Sequence, residues 1–147
     1  MNLSKGIKVT RVANSAVAAT TDVTSSVLDM SGFDGVMFVA LLGDVTNTSV
    51  LALTAKQNTA NSTSSPTPTA ITGGATAPFT ADTTSGDNKA LLVDVYRPQN
   101  QYVFAVLSRG TANAVVDGII AIQYDSRVKP TTQDAAVIAS AFAAPAA

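Results

Sequence analysis

Between Ala90 and Tyr124 the chain places apolar side chains at every second position in three successive runs, and this period limits the fold more than any other feature. A strand points successive side chains to opposite faces, whereas a helix would scatter the same residues around its circumference. Leu91, Val93 and Val95 alternate with Leu92, Asp94 and Tyr96 until Pro98, which lacks the amide hydrogen a ladder needs. Tyr102, Phe104 and Val106 alternate with Val103, Ala105 and Leu107 until Arg109-Gly110 turns the chain. Ala114 to Tyr124 reads in two ways: a long strand bulged at Gly118, which is preferred, or a tight hairpin with Asp117-Gly118 as its turn.

The same pattern recurs upstream. Ile7, Val9 and Arg11 alternate with Lys8 and Thr10, and Val23 to Met30 predicts another short strand. After the turn-rich Met30-Ser31-Gly32-Phe33-Asp34-Gly35, the run Val36 to Leu42 has no polar face, which predicts a central strand buried on both sides. Beyond Gly43 and Thr46-Asn47-Thr48, Leu51, Leu53 and Ala55 alternate with Ala52, Thr54 and Lys56. That segment predicts a strand with one wet face, paired with its predecessor as a hairpin. The expected fold is all-β: a single-domain antiparallel β-sandwich, jelly-roll-like, over residues 1–130. A chain of 147 residues can bury such a core without disulfide or metal staples.

Two segments depart from alternation. Residues 58–87 are rich in Thr, Ser, Ala, Pro and Gly, and Pro66, Pro68, Gly73-Gly74 and Pro78 predict a long loop anchored only by Ile71 and Phe79. Such a loop is either a contact surface or a disordered spacer. Residues 131–147 form a short Ala-rich C-terminal arm. Thr131 and Thr132 are available as N-caps for a helix of about ten residues carrying Val137, Ile138 and Phe142, too short to persist without a surface to dock on. The arm either reaches a neighbouring subunit or frays. No internal repeat is evident.

Composition restricts the chemistry. Cys and His are absent and all ten acidic residues are Asp, so thiolate nucleophiles, imidazole bases and nitrogen or sulfur metal ligands are excluded. A Ser–Lys pair remains open on composition. Gly73-Gly74 lacks the Lys-Ser/Thr and the setting of a phosphate-binding loop. Asp94 and Asp117 interrupt apolar strands and are the only carboxylates placed for glycoside hydrolysis; the simpler reading has each facing solvent or meeting an Arg such as Arg97 or Arg109. Asp82, Asp87 and Asn88 offer oxygen ligands around Gly86, but their spacing misses the calcium loop of an EF-hand. Asn47-Thr48-Ser49 and Asn61-Ser62-Thr63 match a glycosylation pattern without a signal peptide to give it meaning.

Nine basic residues are scattered without a run, and net charge is −1, which argues against nucleic acid as a partner. The longest apolar run, Val36 to Leu42, falls well short of the roughly 20 residues a membrane helix needs. The expectation is therefore a non-enzyme with no catalytic, cofactor or metal site, no nucleic-acid partner and no membrane partner. Low charge with 46% hydrophobic residues suits a protein held in an assembly.

Three segments carry a resemblance: Asn88-Lys89-Ala90-Leu91-Leu92-Val93-Asp94-Val95-Tyr96-Arg97-Pro98, the run from Arg109-Gly110-Thr111 through Asp117-Gly118 to Gln123-Tyr124, and Asp29-Met30-Ser31-Gly32-Phe33-Asp34-Gly35-Val36. Together with Tyr102-Val103 they resemble the decoration, or cement, proteins that bind the outside of tailed-bacteriophage capsids. The likeness runs from about Val23 to Pro130. It implies a β-sandwich on the exterior of the phage head, with the major capsid protein as partner and a homo-oligomeric state.

Overall fold

The structure is a computed structural model and describes residues 2–83 and 85–146. After a four-residue helix, α1 (Leu3–Gly6), the elements are β1 (Lys8–Ala13), β2 (Ala16–Ala19), β3 (Val23–Thr24), β4 (Leu28–Asp29), β5 (Phe33–Val45), β6 (Val50–Asn58), β7 (Thr69–Ala75), β8 (Phe79–Thr80), β9 (Ala90–Tyr96), β10 (Tyr102–Gly110) and β11 (Ala114–Ser126). One sheet runs β1-β11-β5-β9, with β2 also on β11. The other runs β3-β10-β6-β7, with β4 on β10 and β8 on β6. The chain crosses between sheets at β2–β3, β4–β5, β5–β6, β8–β9, β9–β10 and β10–β11. With the short pieces merged, that order of eight strands in two four-stranded sheets is a jelly roll.

Alternation decides which residues meet between the sheets. Val36, Phe38, Ala40 and Leu42 of β5 face inward with Val93 and Val95 of β9 and Ile119 and Ala121 of β11, all buried. Opposite them lie Leu51, Leu53 and Ala55 of β6, in register with Leu107 and Ala105 of β10. Each large member contributes about 1.5–3 kcal/mol by leaving water.

Several expectations need correction. β5 is buried on one side only: Met37 and Val39 are half-buried and Leu41 is 38% exposed, because no layer covers the outer side of that sheet. Nor does β5 pair with β6. It lies between β11 and β9, and the turn after Val45 carries the chain across to the other sheet, so the apolar faces of β5 and β6 meet through the core. The expected strand over Val23 to Met30 is two pieces. Between them Ser25 stands beside β10, its amide donating to the Ala105 carbonyl (2.8 Å) and its hydroxyl accepting from the Ala105 amide (2.9 Å).

The 58–87 stretch contains regular structure that its Pro and Gly content hid. β7 and β8 both pair with β6, and Ile71 and Phe79 pack on the core as expected. The β6–β7 register jumps from Thr54↔Ala75 to Lys56↔Ala70, and the surplus loops out around Gly73, whose φ of +77° favours glycine. β11 is the bulged strand, not a hairpin: its register with β5 shifts at Gly118. There φ is +144°, and a Cβ would sit 3.1 Å from the Ala13 carbonyl oxygen.

The arm forms no helix over its described residues. It runs along the open edge of β1, where the Val9 amide donates to Gln133 Oε1 (2.8 Å) and Gln133 Nε2 donates to the Ile7 carbonyl (2.8 Å). The Thr131 amide donates to the Lys5 carbonyl (2.9 Å). These bonds satisfy edge groups that a helical arm would leave open, and a lone ten-residue helix has too little cooperativity to compete.

Candidate functional site

One end of the sandwich is closed by two buried glutamines, and they set the loops that form a cleft there. Gln57 of β6 accepts from the amides of Gln99 (2.9 Å) and Asn100 (3.2 Å) through Oε1. Gln123 of β11 donates through Nε2 to the Asp29 carbonyl (2.9 Å). Asp34, early in β5, ties the third side: its carbonyl accepts from the Arg97 amide (2.7 Å) and its carboxylate from Arg127 Nη2 (3.0 Å). The resulting cleft has a volume of about 490 Å³ and is lined by Met30, Phe33, Asp34, Arg97, Asn100 and Arg127 among others.

Arg97 is the unusual member. Its φ of +53° lies in the left-handed region, a conformation costing on the order of 1 kcal/mol for a residue with a side chain. The guanidinium stacks 5.2 Å from the centre of the Tyr96 ring and, among the described residues, has no hydrogen-bond partner. Arg97, Gln99 and Asn100 make this wall rich in donors, which fits an acceptor-rich ligand such as a sugar or a carboxylate. In sequence Arg97 was singled out as a partner for Asp94 or Asp117 and within the Asn88–Pro98 resemblance, not as a binding residue, and the cleft draws nothing from residues 58–87. A second hollow of about 440 Å³, on the other side of Arg97, is lined in part by Thr69–Thr72.

The structure separates the two strand carboxylates. Asp94 stands opposite Met37, whereas Asp117 lies in the bulge beside Leu41 and Leu42. The four to five intervening residues put them roughly 13–17 Å apart along the strand direction, beyond the about 9.5 Å limit for a carboxylate pair. Both are exposed to solvent, the first of the two arrangements expected, and neither meets Arg97 or Arg109. Asp94 accepts from the Tyr124 hydroxyl (2.5 Å), and Arg11 approaches the Asp117 carbonyl (3.4 Å). Tyr124 lies flat over Gly35, where a Cβ would come within 2.2 Å of the ring. Burial, followed by the bond to Asp94, pushes the Tyr124 phenol well above its ordinary value and keeps it a donor.

Asp82, Asp87 and Asn88 shape the turn before β9. Asp82 accepts from the Ser85 amide (2.8 Å), Asp87 from the Val45 amide (2.8 Å), and Asn88 takes φ +56°. Among the described residues no cluster of three or more acidic side chains is placed to hold a metal. Sequence reasoning passed over one Ser-x-x-Lys spacing, Ser126 to Lys129. It falls in an exposed turn, where the Ser126 hydroxyl donates to the Val128 carbonyl (2.5 Å). Asp29 accepts from the Ser31 amide (2.9 Å) and Gln101 Nε2 (3.0 Å), and these bonds lower its pKa.

Arg109 was read as a turn residue and is in fact 5% exposed. Its guanidinium donates to the carbonyls of Thr21 (2.7 Å), Val17 (2.8 Å) and Ala114 (2.6 Å), joining β10 of one sheet to β2 and β11 of the other. The only cue in sequence is its place in the inward register of Val103, Ala105 and Leu107.

The outer side of the β1-β11-β5-β9 sheet is the other notable surface. In successive rows it presents Val9, Ile122 and Met37 ending on Asp94, then Ile120, Val39 and Leu92 starting from Arg11, with Leu41 beyond them. Leu92 is 55% exposed and Tyr96 56%.

Fold and site together define a jelly-roll sandwich with a donor-lined end cleft and an apolar outer wall. No protein-family model matches the chain, and no curated protein sequence matches it. Among solved structures, a chain of Desmodium yellow mottle tymovirus overlays with a TM-score of 0.32 at 11% identity, covering 88% of this chain and 89% of that one. A likeness of that size carries no information about role.

Proposed function

We propose that this chain is a structural protein of a tailed-bacteriophage virion that decorates the outside of the head and stabilises it. It binds the major capsid protein without covalent chemistry, as a homo-oligomer, and has no catalytic role. The observation that carries the reading is the apolar outer wall on an otherwise complete jelly roll. The core between the sheets is already filled, so Met37, Val39, Leu92 and Ile122 add nothing to it, and an apolar wall of this kind marks a chain built to associate with other subunits, the homo-oligomeric part of the reading. The resemblance of residues 23–130 to capsid cement proteins supplies the kind of assembly. A protein that binds the closed shell and not its free subunits stabilises the shell by mass action.

The test adds purified protein to undecorated heads, followed by sedimentation and heating. Co-sedimentation with a raised disruption temperature is expected; protein left in the supernatant and an unchanged temperature would refute the proposal. A tail-tube or head-completion subunit is the competing structural role. The end cleft favours one further reading, a glycan-binding module on the virion surface. A glycan array should then light up with the native protein and go dark with Arg97→Ala; silence with both removes that reading.

A further inference from the structure

We infer that the C-terminal segment of one copy, residues 138–146, lies across the outer β5–β9 wall of a second copy. The inference deepens the homo-oligomeric part of the proposed function and names its surface.

Two unpartnered apolar features stand side by side on each chain. The arm is fixed to β1 as far as Gln133, and Ala136 and Val137 then border a groove of about 290 Å³ shared with Val9, Leu41 and Ile120 and rimmed by Arg11 and Asp117. That groove is the β1–β11 margin of the wall. One residue later the arm loses its own chain: Ile138 is 98% exposed and Phe142 49%. The remaining wall, Met37, Val39 and Leu92, begins where the arm stops making contact. Each feature has the chemistry the other lacks.

Charge permits the match. Residues 135–146 have no charged side chain, and the rows of Ile122–Met37 and Ile120–Val39–Leu92 have none between the flanking Arg11 and Asp94. Asp94 accepts from Tyr124 and stands at the β9 end of its row, so an apolar arm over Met37, Val39 and Leu92 leaves that carboxylate in water. With a net charge of −1, two copies repel each other little. Two-fold exchange makes the contact reciprocal and doubles the buried area, toward the about 1,200 Å² of a stable interface.

The absence of cysteine allows a clean test. A tagged Leu92→Cys chain is mixed with an untagged Phe142→Cys chain under mild oxidation, and sedimentation equilibrium is run on the native chain, on Leu92→Lys and on a chain ending at Val137. Leu92 is 55% exposed, so its variants keep the fold. A mixed disulfide exceeding either self-pair is expected, with self-association weakened at least about tenfold by either change. Three results would overturn the inference: a native chain that stays monomeric, Leu92–Leu92 pairs dominating the mixture, or self-association indifferent to the truncation. Failure to bind heads alongside the mixed disulfide would sink only the virion reading; binding to heads without the disulfide would sink only this one.

Discussion

The two sheets turn different faces to the outside. Outward from β6 and β10 stand Ala52, Thr54, Lys56 and Ser108 with Phe104 and Val106 among them, a surface on which polar groups flank an aromatic ring that its own chain already covers to 1% exposure. Outward from β5, β9 and β11 stand Met37, Val39, Leu92, Ile120 and Ile122. The core between the sheets is filled by their inward faces, so folding of the single chain does not account for the second set. The difference teaches that alternation was kept on one sheet for burial and water, and on the other for burial and something else, which we take to be association.

The sharpest way to break this comparison is to truncate neighbours on β5. Phe38→Ala removes a fully buried ring and should cost about 3–5 kcal/mol, whereas Val39→Ala on the outer side should cost less than about 1 kcal/mol in the monomer. Denaturant unfolding reads both. Equal losses would mean that the outer wall is already covered within one chain.

Arg109→Ala tests how the sheets are joined at the opposite edge. Losing the guanidinium strands the carbonyls of Val17, Thr21 and Ala114 and should cost on the order of 3 kcal/mol. Arg109→Lys should recover only part of that, because an ammonium cannot reach all three acceptors in the geometry of the planar fork.

Gly35→Ala probes the outer wall from beneath. The new methyl collides with the Tyr124 ring and should cost about 1–3 kcal/mol. The phenol should also return toward its ordinary value of 10.0, followed by ultraviolet titration of tyrosine. In the native chain the raised Tyr124 value stabilises the fold fully below pH 10 and loses that contribution as pH rises toward the folded-state value. Tyr124→Phe should remove this alkaline dependence.

The smallest effect belongs to Asp29. Its lowered pKa contributes stability above the unfolded value of 3.8 that is lost as pH falls through the folded value. Asp29→Asn should lower stability slightly at neutral pH and leave it unchanged at the acid end, flattening the acid limb, as seen in thermal melts between pH 2 and 7. An unchanged acid limb would show that its bonds to Ser31 and Gln101 contribute little in solution.

What could be read from sequence was local. The alternation in β9, β10 and β11, the Gly118 bulge, and Ile71 and Phe79 as anchors were legible because each depends on residues a few positions apart. The pairing of β5 was not, since a strand followed by a short turn and another strand is equally well a hairpin or a crossing between sheets; only the whole topology decides. The arm was misread for the same reason: Gln133 bonds to Val9, 124 residues away, and no local propensity records it. Arg109 was hidden because a buried charge satisfied by carbonyls leaves no acidic partner to notice. The end cleft was invisible because its members come from three separate segments and Gln57 and Gln123 resemble ordinary polar strand residues.

The central claim is that this sandwich is a structural component of the head exterior, and a reconstruction of intact particles tests it most directly. We expect density for the jelly roll on the outer surface of the shell in on the order of hundreds of copies, following the symmetry of the shell. Density confined to a ring of about a dozen copies at a vertex, or to the tail, would contradict the claim.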